Sequence, residues 1–207
     1  MQVNSRALRA AALFTSTDGT RPTLGNVEVS EDGSLMIATD SYKICAIGKA
    51  GELPSSLVGR IKAGNHGDAV QVSADAINKA SKLTSRFNPA CWEISDSTIA
   101  ASGGTVTLEK GFGEFPNVST LVAWRELVGI KEVAFDSSFF ATIHKATQVL
   151  YGTTKSRKGD IPMPPIVFHG AQEGDRNITL LSVSSEAGTM VVMMISISRF
   201  VGWDGAQ

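Results

Sequence analysis

Apolar residues recur along this chain at two periods, one helical and one strand-like, and the two alternate in blocks. The first block runs from Met1 to about Ala50. It opens with a short strand, and Asn4 or Ser5 can cap a helix through Phe14. Leu8, Ala11 and Ala12 share one face of that helix, while Arg6 and Arg9 share another. After a turn from Asp18 to Pro22 come three strand-like runs, Gly25–Ser30, Ser34–Thr39 and Tyr42–Ile47. Glu31-Asp32-Gly33 suits a hairpin between the first two.

The same order recurs twice. Gly51–Asp68, with its glycines and a proline, is expected to be a connection. Val70–Val72 then starts a second unit, Ser73 is its N-cap candidate, and Ile77, Ala80, Leu83 and Phe87 fall at helical spacing. Lys79, Lys82 and Arg86 lie off that stripe, and Asn88-Pro89 is expected to stop the helix. Strands are expected at Cys91–Ile94, Ser97–Ala101 and Thr105–Glu109, with Gly103-Gly104 in a turn. Gly111–Glu126 has the character of a bridge. The third unit is expected to begin at Glu132–Phe135, with Asp136 or Ser137 capping a helix that buries Phe139, Ile143, Ala146 and Leu150 and leaves Lys145 outside. A basic loop, Gly152–Asp160, carries Lys155, Arg157 and Lys158, and strands follow at Pro165–His169, Ile178–Val183 and Thr189–Ser198. Many strands and few helices predict an α+β protein with antiparallel sheets. Residues 1–118 are expected to form one domain of two units, and 119–207 a half or degenerate domain.

Composition narrows the chemistry. The 207 residues are 43% hydrophobic and 19% charged, enough to bury a core. A formal charge of −1 excludes a protein that coats nucleic acid through bulk positive charge. The longest unbroken apolar run, Met190–Ile195, has six residues, so no membrane span is expected. The start of the chain is too short in apolar residues for a signal peptide, which points to the cytoplasm. Cys45 and Cys91 read as buried thiols, and two cysteines make neither a disulfide framework nor a zinc site. His66, His144 and His169 stand far apart, and no nucleotide-binding or nucleophile motif occurs, so no enzyme and no cofactor is expected. Asp40, between two strands, reads as a turn residue that bonds its own backbone.

Four stretches resemble the bacterial DNA sliding clamp, the DNA polymerase III beta subunit family. Gly19–Val27 (GTRPTLGNV) is similar to the family's RP-x-L-x-G-V strand, and Ala38–Ile44 (ATDSYKI) to its ATD-x-x-R-L strand, with Lys43 where the family has arginine. Gly113–Asn117 (GEFPN) is similar to the G-E-F-P that ends a clamp domain, and Val191–Ile195 (VVMMI) to the final strand. The resemblance implies repeated β-α-β-β-β units, with antiparallel sheets outside and helices lining a ring around duplex DNA. It departs from the family in carrying three units where six are usual. It implies a processivity factor, a homo-oligomeric ring of three or four chains that tethers a DNA polymerase and other replication proteins through short peptide motifs.

Charge placement bears on that reading. The three expected helices hold six of the 19 basic residues (Arg6, Arg9, Lys79, Lys82, Arg86, Lys145) and one of the 20 acidic ones, Asp75. Such segregation suits a surface that grips a polyanion, and it also suits ordinary solvated helix faces. Arg21 falls where the resemblance places a basic residue near DNA, against a local pairing with Asp18. Lys155, Arg157 and Lys158 read as flexible phosphate contacts or as a solvated loop. All ten are candidates for contacts that position DNA without reading its sequence. The resemblance also implies a partner-peptide pocket near the last strand, for which Val191, Met193 and Met194 are candidates, against plain core packing. The alternative function is a clamp-like scaffold or decoy that binds protein and does not encircle DNA.

Overall fold

A computed structural model describes residues 1–64, 68–84, 91–109, 113–121, 136–152, 165–172 and 178–195. Three helices share one construction. A residue with a short polar side chain ends a strand or loop and caps the helix that follows, because its oxygen satisfies an N–H that has no partner in the first turn. Asn4 follows β1 (Gln2–Asn4) and accepts from the backbone of Arg6 and Ala7 at 3.0 and 3.3 Å, opening α1 (Ser5–Ala12). Ser73 ends β5 (Val70–Ser73) and accepts from Ala76 at 3.2 Å, opening α3 (Ala74–Leu83). Asp136 accepts from Ser138 at 2.8 Å and opens α5 (Ser137–Tyr151), which ends on Gly152 at φ +77°. As expected, Phe139, Ile143, Ala146 and Leu150 are buried and Lys145 is exposed.

Strands β2 (Asn26–Val29), β3 (Met36–Thr39) and β4 (Lys43–Gly48) follow α1, and β6 (Cys91–Ile94), β7 (Thr98–Ala101) and β8 (Gly104–Thr107) follow α3. After α5 come β9 (Val167–Gln172), β10 (Ile178–Ser185) and β11 (Gly188–Ile195). They form two sheets, ordered β1-β6-β7-β8 and β5-β2-β3-β4-β11-β10-β9, with every described pairing antiparallel. The larger sheet crosses the expected boundary after residue 118, since Met190 of β11 pairs with Ile47 of β4 and Met194 with Lys43.

The main core lies between the helices and both sheets, with Leu8, Phe14, Ile77, Trp92, Ile143, Met190 and Met194 inside it. Trp92 reaches a hydrogen bond through Nε1 to Thr84 Oγ1 at 2.9 Å, so its polar atom is satisfied where the ring is buried. A second core lies on the other face of the larger sheet, where Leu57, Val58 and Ile61 cover Ile37, Ala46, Val191 and Met193, together with Phe115 and Val118.

Two expectations fail here. The stretch Gly51–Asp68 is not merely a connection: it contains α2 (Pro54–Ala63), which starts on Pro54 and stops at Gly64 in the left-handed region, φ +64°. Burial of Leu57, Val58 and Ile61 outweighs the helix-breaking glycines around them. Cys91 is exposed, because the alternation along β6 buries Trp92 and Ile94 and turns Cys91 and Glu93 outward, whereas Cys45 is buried as expected. The expected bridge also contains one short helical turn, α4 (Val118–Leu121). The expected strand Glu132–Phe135 and the stop at Asn88-Pro89 lie outside the described residues.

Candidate nucleic-acid interface

The central helix of the layer is α1, which packs against both α3 and α5. The faces turned away from the core carry Arg6 and Arg9 from α1, Lys79 and Lys82 with Asp75 and Asn78 from α3, and His144, Lys145 and Gln148 from α5. Described helix positions thus put five cations on one layer against one carboxylate, in a chain whose formal charge is −1. Each cation sits in a different environment.

Arg9 is half-buried and has no carboxylate partner among the described residues. Its guanidinium is held below the ordinary arginine value by burial first and by the charge of Arg6 second. It remains charged, since arginine starts so high. The fold therefore keeps a partly desolvated cation beside a like charge, an arrangement that an incoming anion relieves. Arg6 is placed differently. Its guanidinium lies against the C-terminus of α5, so close that a Cβ on Gly152 would fall 2.7 Å from Arg6 Cζ. A cation there meets the negative end of the α5 dipole, which gives Arg6 a structural role as well as an outward charge.

Lys79 Nζ pairs with Asp75 Oδ2 at 2.6 Å along α3, and that bond raises the Lys79 pKa. Lys82 and Lys145 are exposed and, like Arg9, have no ion pair among the described residues. His144 is exposed and shares a hydrogen bond with Gln148 at 3.0 Å, a pairing visible in the sequence as an i, i+4 step. Arg21 donates from Nη1 to Ser41 Oγ at 3.2 Å, while the Asp18 carboxylate accepts from Thr20; only the backbone N–H of Arg21 reaches the Asp18 carbonyl. Arg86, Lys155, Arg157 and Lys158 lie outside the described residues.

The turn between β3 and β4 is stiff, as the reading of Asp40 anticipates. Asp40 Oδ1 accepts from the backbone of Tyr42 and Lys43, both at 3.0 Å, and Oδ2 pairs with Lys43 Nζ. Lys43 Nζ also stands 4.8 Å from the centre of the Phe139 ring, which ties this turn to the first turn of α5. Sequence reasoning misses that link because nothing local relates residues so far apart.

The structure parts the three pocket candidates. Val191 and Met193 face α2 in the second core and Met194 faces the helix layer, all at most 3% exposed. An open polar cleft of about 470 Å³ lies elsewhere, between the β2–β3 turn and α2. Its charges are paired: Arg60 bonds Glu52 at 3.0 Å and Ser34 Oγ at 2.6 Å, clasping α2 to the hairpin. Among the described residues, no three histidine, cysteine or carboxylate side chains gather where they could hold a metal ion, and no helix is long and apolar enough to cross a membrane.

Fold and site together define an α+β protein of repeated units in which α1, α3 and α5 form one positively charged layer backed by antiparallel sheets. The solved structures similar to it are bacterial DNA polymerase sliding clamps. The Bacillus subtilis clamp is 18% identical with a TM-score of 0.41, and the alignment covers 95% of this chain and 49% of that one. The Streptococcus pyogenes beta subunit is 16% identical at a TM-score of 0.43, covering 96% and 50%. The Helicobacter pylori clamp, solved with a DNA ligase peptide, is 10% identical at 0.46, covering 96% and 65%. The chain spans about half the length of the first two. No protein-family model matches the sequence, and no curated protein matches it significantly.

Proposed function

We propose that this protein is a DNA clamp: a processivity factor that surrounds duplex DNA as a homo-oligomer and tethers a polymerase or other replication enzyme. The observation that carries this reading is the helix layer, with five cations and one carboxylate on outward faces. Arginine and lysine at helix spacing meet phosphates, which have the same charge at every base step, so attraction is uniform along the duplex and the protein can slide. Arg9 adds a cation that the fold itself leaves uncompensated. No chemistry is required of the clamp, because a tethered enzyme is held at high effective concentration near its substrate. Partners bearing a short apolar peptide belong to the same reading, with the surface near β11 as their candidate seat.

The test is topological. Protein assembled on a circular duplex at low salt is moved to physiological salt and followed by gel filtration. Retention on the circle with release on linearisation is expected, since cutting leaves each local contact intact and opens only the path off the end. Equal loss from circle and line overturns the reading and favours a scaffold or decoy that holds only protein.

A further inference from the structure

The turn between β3 and β4 is held in a conformation that its residues do not favour. Ser41 has φ +81°, and no other non-glycine residue among those described has a positive φ. A side chain there is strained, because its Cβ crowds the neighbouring carbonyl. Hydrogen bonds on both sides keep it in place. The Ser41 N–H donates to Thr39 Oγ1 at 3.2 Å, and the Thr39 hydroxyl donates to the Lys43 carbonyl at 2.9 Å. Together with the two N–H groups that Asp40 accepts and the bond from Arg21 to Ser41 Oγ, they leave the turn little freedom.

This rigid turn presents Tyr42, which is 64% exposed and whose hydroxyl has no hydrogen bond among the described residues. An aromatic ring on a fixed backbone loses little conformational freedom when a ligand covers it. Lys43, the next residue, stands over the Phe139 ring, so the turn lies at the end of the helix layer where α5 begins. The charges at this end nearly cancel. The Asp18 carboxylate feels Arg21, the Asp136 carboxylate feels Lys43, and Asp40 pairs with Lys43. Two cations among three carboxylates give phosphate no net attraction, in contrast to the layer beside them. A ligand here is therefore recognised by the ring and not by charge. Along a duplex each base is stacked between neighbours, whereas an unpaired base offers a free face.

We propose that Tyr42 is a stacking platform for an unpaired base of DNA whose duplex part lies along the helix layer. The protein then distinguishes a duplex with a single-stranded extension from a blunt one. The inference rests on the reading of the layer as a DNA-binding surface, and it adds a contact made by a base where the layer makes contacts to phosphate. Salt screens the phosphate contacts and leaves the stacking contact almost untouched. Every base has a π-face, so the contact is tolerant of sequence.

Fluorescence anisotropy with three labelled duplexes of about 20 base pairs tests this. One is blunt, one carries a single strand of about ten thymidines, and one carries the same length of abasic residues, which keeps the phosphates and removes the bases. The thymidine extension should be bound about fivefold or more tighter than the abasic one. That ratio should hold within about twofold between about 50 and 200 mM salt while each affinity falls. Tyr42→Ala should abolish the difference and Tyr42→Phe, which keeps the ring, should retain it, with thermal melts checking that both variants fold. In the unaltered chain, photo-crosslinking of 5-iodouracil in the extension should map to Tyr42. Equal affinity for the two extensions, an unchanged ratio in folded Tyr42→Ala, or crosslinks at other residues alone overturn the proposal and leave Tyr42 for a protein partner. Failure of all three duplexes to bind overturns the DNA reading along with it. A base-dependent preference lost in Tyr42→Ala, with equal release from circle and line, keeps the platform and removes the clamp; retention on circles without that preference does the reverse.

Discussion

Arg6 and Arg9 lie three residues apart on one helix, and the structure assigns them opposite consequences on removal. Arg9 is half-buried, carries no described carboxylate partner, and feels Arg6 as a like charge. A like pair at this spacing costs an isolated helix about 0.2–0.5 kcal/mol. Arg9→Gln keeps most of the stem and removes the charge, so stability should hold or rise by about 0.3 kcal/mol, a shift of about 1 °C in Tm for a chain of this size. Binding to a short duplex should move the other way. One phosphate contact contributes about 0.9 to the slope of log K against log salt, which amounts to about fivefold in affinity near 0.15 M. Arg6→Ala should instead destabilise, by about 1 kcal/mol, because its guanidinium packs on the C-terminus of α5 beside Gly152. Urea unfolding and fluorescence anisotropy across a salt series read both quantities. Loss of more than about 1 kcal/mol in Arg9→Gln, with an unchanged salt slope, would refute the reasoning, since it would make Arg9 a packing residue and not a cation held for a ligand.

Gly152→Ala should cost about 1 kcal/mol or more in urea unfolding, because φ is +77° there and the new Cβ meets the Arg6 guanidinium. Lys43→Met should lower stability by about 2 kcal/mol, since it removes the pair with Asp40 and the contact with the Phe139 ring; a change under about 0.5 would show that neither contact matters. The Asp32 carboxylate is held well below the usual range, first by the Ser34 and Ser30 side chains, so its contribution is complete above about pH 4 and fades as pH falls further. Asp32→Asn should therefore be less stable at pH 7 and lose less stability than the parent between pH 4 and 2, as followed by thermal melts. Met193→Ala should destabilise by about 2–5 kcal/mol, as a cavity in the second core does, whatever its effect on a peptide partner.

What the sequence discloses and what it hides divide along the range of the interactions. The caps Asn4, Ser73 and Asp136, the turn at Asp40 and the apolar stripe of α5 are all local, and each is legible from residues a few positions apart. Helix α2 escapes notice because Gly59 interrupts its apolar run and Leu53 offers no capping oxygen, so it forms only against the face of a sheet assembled from distant residues. Cys91 was legible in principle: strict alternation through Trp92 and Ile94 turns it outward. The β4–β11 pairing was not, since it joins residues more than 140 apart and no pattern at either strand names its neighbour. For the same reason sequence alone cannot part Arg6 from Arg9; only the position of the α5 C-terminus separates them.

The larger sheet also decides where a partner can bind. Along β11, Met190, Val192 and Met194 point to the helices, while Val191 and Met193 point to α2, so both faces of this central strand are spoken for. The helix side is closed by α1 and α5, whose outward charges face away from the sheet. The other side is closed by α2, pinned at one end by Arg60 on Glu52 and Ser34, and by Phe115 and Val118 beside it. A peptide that sought Val191 or Met193 would have to displace α2, giving up buried leucine and isoleucine surface at about 1.5–3 kcal/mol per side chain. Where the apolar surface is already free, at Val167 and Phe168 on β9, no such displacement is needed. A peptide seat near β11 is therefore open only to a partner whose own apolar residues replace those of α2.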